Sequence, residues 1–165
     1  GMVNYHKVTL VAYRTPGMAS IVEQRKKEGP SIRGDLTVLP AGEHALLPCL
    51  RALERGEVVL ILPEYHRGAS RMAVTVDFLG ARISASGGLA ALARASAAPV
   101  VPVHVLLQRG TYKVEFGDPI EMVRTGSREA DLEENTRRIF RTIEEIVLRC
   151  PEQWNLWRSL ESMSS

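Results

Sequence analysis

Leu62-Pro63-Glu64-Tyr65-His66-Arg67-Gly68 brings a carboxylate, an imidazole and a guanidinium together directly after a strongly apolar run. Such a trio can hold an anion and move a proton. Polar groups at the end of a buried strand line a crevice while the strand itself stays dry. The plainer alternative is a solvated loop with a Glu64–Arg67 ion pair. Glu64 and His66 are also the candidates for an acid–base pair. Arg14 stands at the end of another apolar run, before Thr15-Pro16-Gly17. A guanidinium there can grip a phosphate or carboxylate in bidentate fashion, or can be an ordinary surface arginine. A third candidate is Ser84-Ala85-Ser86-Gly87-Gly88. If it opens a helix, its backbone N–H groups face an anion and Ser86 is the N-cap, although serine in that place is often a cap and nothing more.

Several chemistries find no support. The chain has no G-x-G-x-x-G, no G-x-x-x-x-G-K-[ST] and no G-x-S-x-G, so dinucleotide binding, P-loop chemistry and a hydrolase elbow lose their sequence basis. His6, His44, His66 and His104, with Cys49 and Cys150, show no metal-ligand spacing, so neither a metal nor a bound cofactor is expected. Both cysteines read as reduced thiols. A formal charge of +2, with basic residues spread among acids, argues against nucleic acid and is compatible with contact at an anionic membrane surface. No run approaches the length of a membrane span and no signal peptide opens the chain, which points to the cytoplasm.

The elements that must position these residues alternate between strand and helix. With 165 residues, 45% of them hydrophobic, residues 2–165 are expected to form one domain, Gly1 reading as a remnant of tag cleavage. KVTLVAYR (7–14) reads as a buried strand, 18–29 as a helix ending at Gly29, and 36–40 as a short strand. Residues 42–55 carry Leu46, Leu47, Leu50 and Leu53 at helical spacing, with Pro48 near the start. EVVLILPEY (57–65) is nearly continuous Val, Ile and Leu, the pattern of a central parallel strand. MAVTVDFL (72–79) alternates as an edge strand turning at Gly80, and LAALARASA follows as a helix. PVVPVHVLL (99–107) reads as another buried strand, joined through Arg109-Gly110 to a hairpin partner at 111–117. Finally, Leu132, Ile139, Phe140, Ile143, Ile146, Val147 and Cys150 share one helical face, with Glu133–Arg137, Glu134–Arg138 and Glu145–Arg149 on the other and Pro151 as the stop. The expected fold is α/β, a mostly parallel central sheet flanked by helices. Ligands then belong at the carboxyl ends of the strands, near Arg14, Glu64 and 105–108.

Taken in order, VTLVAYR, CLRALERGEVVLILPEYHRG, VDFLGARISASGGLAALARASAAPVVPVHV and CPEQWNLW resemble the bacterial lipid A biosynthesis acyltransferases, within the wider lysophospholipid acyltransferase family. The resemblance covers most of residues 8–157, and the closing Pro-Glu-Gln-Trp is its most telling block. It implies a glycerolipid-acyltransferase-like fold. It also implies transfer of an acyl chain from an acyl-carrier-protein or coenzyme A thioester to a lipid or saccharolipid hydroxyl, and peripheral contact with the inner face of the membrane. By motif, Arg14 matches the arginine that contacts the polar head, Glu64 the acid of the third block, and Pro102 the proline of the fourth. The family's base is the histidine of H-x-x-x-x-[DE]. Here the fifth residue after each histidine is Val11, Cys49, Arg71 or Arg109, so the motif is absent.

The chain therefore resembles the C-terminal part of such an enzyme, an incomplete version of the fold. The leading reading is an acyltransferase-family domain whose crevice is lined by Arg14, Glu64 and Arg67. Its rival is a non-catalytic module that binds lipid, acyl donor or a partner protein. A third reading makes Glu64 and His66 a substitute acid–base pair. Strand edges left open by a missing segment favour a homodimer.

Overall fold

The computed structural model describes residues 7–12, 36–65, 71–157 and 160. By its contacts the chain falls into two compact units, Gly1–Tyr65 and His66–Ser165. Its architecture is α/β, with one small parallel sheet and two antiparallel pairs among the described residues.

In the first unit β1 (Val8–Ala12), β2 (Leu36–Pro40) and β3 (Val58–Ile61) form a parallel sheet in the order β2-β1-β3. Val8 lies opposite Leu36 on one side and Val58 on the other. The centre of this sheet is thus β1, where Thr9 and Val11 are buried. The expectation of a central strand at 57–65 is corrected: β3 is parallel but flanks the sheet, and Val58 is exposed. A continuous apolar run reports how dry a strand is expected to be, not which neighbours it pairs with.

Between β2 and β3 a 3-10 turn, Glu43–Ala45, leads into α1 (Leu46–Glu54). Pro48 sits in the first turn of α1, where its missing N–H is not needed. The helix buries Cys49 and Ala52. Gly56, with φ +75°, reverses the chain so that Glu57 N–H donates to the Ala52 carbonyl at 3.0 Å. Glu57 then fastens the amino end of the sheet. Its carboxylate accepts from Arg55 Nε at 2.7 Å and from Thr9 Oγ1 at 3.4 Å, and Lys7 Nζ lies 3.8 Å away.

Among its described residues the second unit has two hairpins, two α-helices and a 3-10 turn. β4 (Ala73–Phe78) and β5 (Ala81–Ser86) pair across Leu79-Gly80, and β6 (Val103–Gln108) and β7 (Thr111–Phe116) pair across Arg109-Gly110. All four turn residues have φ between 50° and 78°. That is the signature of two-residue type I′ turns, whose twist matches the strands they join. The alternation expected at 72–79 is present, with Val74, Val76 and Phe78 buried. β5 was not expected from the sequence, because Ala81, Ser84 and Ser86 are weak strand formers. Residues 84–86 therefore end a strand instead of making a turn. Gly87 is the N-cap of α2 (Gly88–Ser96), and Ser86 Oγ accepts from Gly88 N–H at 3.3 Å from one position further out.

β6 corrects a further expectation. Residues 99–107 read as a buried strand, yet Val101, Val103, Val105 and Leu107 are all exposed, and the strand's partner is antiparallel. The core lies elsewhere. It joins Phe78, Ile83, Ala85 and Ala90 to Ile139 and Phe140 of α3 (Arg128–Arg149). Phe78 meets Phe140 edge to face at 5.4 Å and Trp154 at 5.7 Å.

On α3, Ile139, Phe140 and Val147 of the expected apolar face are buried, and two of the three expected ion pairs close, Glu133–Arg137 and Glu134–Arg138. Ser127 caps the helix by accepting from Ala130 N–H at 3.2 Å. Its amino-terminal half also buries Asp131, Asn135 and Thr136. Asp131 accepts from Thr125 Oγ1 at 2.7 Å, from Thr125 N–H at 2.8 Å and from Arg94 Nε at 3.0 Å. Asn135 accepts from Val123 N–H at 2.7 Å and donates to its carbonyl at 2.9 Å.

Both tryptophans of the chain, Trp154 and Trp157, belong to the second unit, so tryptophan fluorescence reports its unfolding. Asn135→Ala leaves the Val123 amide and carbonyl unpaired, and urea titration is expected to show a loss of about 2 kcal/mol. The Thr125 hydroxyl and amide, with Arg94 beside them, hold the Asp131 carboxyl below its ordinary range against the opposing effect of burial. This stability is present above the ordinary aspartate range and is lost as pH falls through the lowered value. Asp131→Asn is expected to flatten that acid limb. An unchanged acid midpoint would show that the carboxylate is not what the cluster needs.

Candidate functional site

Parallel pairing sets the site. β1 and β3 run side by side with Val11 opposite Ile61, so their carboxyl ends open at the same edge of the sheet. Pro63–Tyr65 turns away from β3 as a single 3-10 turn, and Glu64 lies in it. Its carboxyl is half-buried. Burial pushes its pKa up, and its own backbone amide offsets only part of that effect. An acid raised by desolvation beside a strand end can hold or deliver a proton, or accept a hydrogen bond from a hydroxyl.

The structure assembles only part of the expected set. Glu64 is at the carboxyl end of the parallel sheet, as the sequence requires. Arg14, His66 and Arg67 lie outside the described residues. Ser86 belongs to the second unit, where its hydroxyl is engaged at the start of α2.

One histidine acquires a partner that a scan of sequence motifs misses. His104 on β6 faces Glu115 on β7 directly across the ladder, with Nε2 3.2 Å from Oε2. They stand eleven positions apart in sequence, and the Arg109-Gly110 turn brings them together. Lys113 Nζ approaches the same carboxylate at 2.6 Å and holds it below its ordinary range. The other ring nitrogen, Nδ1, is buried and has no hydrogen-bond partner among the described residues. A base needs an open path to the hydroxyl it deprotonates, so this pair has the composition of a catalytic dyad without its access.

Pro-Glu-Gln-Trp has a role the sequence did not disclose. Gln153 lies in a 3-10 turn, Pro151–Gln153, at the end of α3. Its Oε1 accepts from Leu107 N–H at 2.7 Å and its Nε2 donates to the Leu107 carbonyl at 3.3 Å. It thereby pairs both backbone groups of Leu107 on the outer edge of β6 as a residue of a neighbouring strand would. Trp154 packs on Phe78, and Trp157 stands edge-on to Trp154 at 4.8 Å while its Nε1 donates to the Pro151 carbonyl at 2.7 Å. This block is a latch that fixes the β6–β7 hairpin to the core of its unit.

The family model for bacterial lipid A biosynthesis acyltransferases matches residues 9–159. The chain belongs to that family. The match runs from β1 through the Gln153 latch, and so includes both Glu64 and Pro102. A search of curated proteins returns no match. Among the described residues no helix is long and apolar enough to cross a membrane, and no cluster of three His, Cys, Asp or Glu side chains could hold a metal ion.

Because Glu64 binds its proton more tightly folded than unfolded, it favours the folded first unit below the ordinary glutamate range. That contribution falls away as pH rises through the raised value. Glu64→Gln is expected to remove this dependence and to raise the melting temperature at neutral pH. Scanning calorimetry at several pH values reads the outcome, and a lower melting temperature at neutral pH would mean that the ionised carboxylate is needed where it stands.

Proposed function

We propose that the chain takes part in moving an acyl chain from a thioester, carried by acyl carrier protein or coenzyme A, to the hydroxyl of a lipid or saccharolipid. The observation that carries this reading is the family match, which spans nearly the whole chain and includes the parallel sheet with Glu64 at its carboxyl end. In this reading the fold follows the glycerolipid-acyltransferase plan. Arg14 and Arg67 bind the anionic part of donor or acceptor, and Glu64 orients a polar group of the acceptor beside them. Work on such substrates is done at the inner face of the membrane, in peripheral contact with it.

A second reading is favoured by one sequence fact. No histidine here has an acid at the fifth position after it, and losing a positioned base costs on the order of 10² to 10⁴ in rate. The chain then binds donor or acceptor and does not turn over alone. Under this reading the site is a recognition surface that works with residues supplied from outside the sequence.

A transfer assay separates the two. The 165-residue chain is incubated with a radiolabelled acyl thioester and a panel of lysophospholipid and saccharolipid acceptors, beside His66→Ala. Turnover lost in the variant identifies His66 as the base, with Glu64 as its neighbour. Turnover kept in the variant supports acyl transfer with a base other than His66. Thioester binding without turnover supports the recognition module, and neither binding nor turnover would contradict both readings.

A further inference from the structure

Where α3 runs beside the β4–β5 hairpin, six charged side chains line a cavity of about 380 Å³. That volume lies within the span of small-molecule sites, roughly 300–1,000 Å³. Three of the six are arginines. Arg82 comes from β5, while Arg137 and Arg141 stand one turn apart on α3. All three are exposed. The others are carboxylates, Asp77 from β4 and Glu133 and Glu144 from α3.

The carboxylates are already engaged. Asp77 lies opposite Arg82 in the ladder, with Oδ1 3.6 Å from Nε. Glu133 accepts from Nη2 of Arg137. Glu144 accepts the Leu79 N–H at 2.6 Å. A guanidinium has five N–H donors in a planar fork, so Arg82 and Arg137 keep donors beyond those that face their own acids. Arg141 makes no ion pair among the described residues.

We infer that this cavity binds a phosphate monoester, whose terminal oxygens take N–H donors from Arg82, Arg137 and Arg141. A metal cation is the wrong occupant, because each acid is spoken for and no three of them converge to hold one. A carboxylate ligand offers two oxygens and one charge. A phosphate monoester offers three terminal oxygens and a charge of nearly two, which suits three forks. Arg137 and Arg141 are also spaced i,i+4, an unfavourable arrangement for like charges until an anion joins them. One aliphatic and no aromatic side chain lines the walls, so the cavity receives the polar end of the ligand and not an acyl chain. The phosphate can stand on a soluble molecule or on a lipid headgroup.

Isothermal titration calorimetry of the full chain at low ionic strength tests this with two probes. Glycerol 3-phosphate is the soluble monoester, and phosphatidylcholine vesicles containing phosphatidic acid carry the lipid-borne one. Saturable binding is expected, weakened about tenfold by Arg141→Gln, as the loss of a charged hydrogen bond implies. Arg128→Gln removes the same charge from an exposed position of α3 outside the cavity and is expected to leave binding unchanged. Near-ultraviolet circular dichroism of the Trp154–Trp157 pair verifies folding, and Arg82→Gln replaces Arg141→Gln if that variant does not fold. Binding of glycerol 3-phosphate supports the site and assigns it to soluble esters; binding of the vesicles alone supports it and assigns it to a headgroup. Saturable binding of neither probe overturns the inference. Binding that Arg141→Gln leaves intact, or that Arg128→Gln weakens equally, overturns it as well.

Discussion

A carboxylate with no exposed surface must have its lone pairs filled, and Asp131 makes that demand at the first turn of α3. Thr125 supplies two donors from the loop before the helix and Arg94 supplies one from α2. Meeting one buried charge therefore fixes three segments at once. One turn on, Asn135 pairs with both backbone groups of Val123. Arg124, held between the two clamps, donates to the Ala93 and Arg94 carbonyls and so closes the carboxyl end of α2. With α2 and α3 set in this way, the aromatic contacts of Phe78, Phe140 and Trp154 follow from burial alone.

The same logic extends to the latch. Gln153 pairs the outward amide and carbonyl of Leu107 on β6, and the tryptophans beside it anchor the turn that carries Gln153 to the core. A block that reads in sequence as a family signature thus works here through backbone hydrogen bonds and ring packing. Pro102 directly precedes the strand that this latch holds, which ties one family block to another through structure.

Periodic features were legible and pairing features were not. The stripe on α3, the Pro48 start of α1, the alternation of β4 and the Arg109-Gly110 hairpin each follow from rules that act over a few residues. Asp131 and Asn135 escaped because polar residues on a helix read as solvent-facing unless their partners are known, and those partners lie in other segments, while Thr136 turns its hydroxyl back to the Leu132 carbonyl of its own helix. β5 escaped because alanine and serine carry little strand preference, although Leu79-Gly80 with Ile83 and Ala85 alternating behind it is the signal that identifies it. The place of β3 in its sheet, and the meeting of His104 with Glu115, depend on strand order and register, which composition does not encode. Of the candidate site, Glu64 was legible because a strand end that must stay dry makes a polar residue just beyond it conspicuous.

The central claim is that the carboxyl ends of β1 and β3 receive an acyl thioester or its acceptor. Amide chemical-shift mapping of the labelled chain, titrated with a non-hydrolysable acyl thioester analogue, tests it most directly. Saturable shifts at residues 11–12 and 61–65, weakened by Glu64→Gln, are the predicted result. Shifts confined to the second unit, with residues 61–65 unmoved, would contradict it.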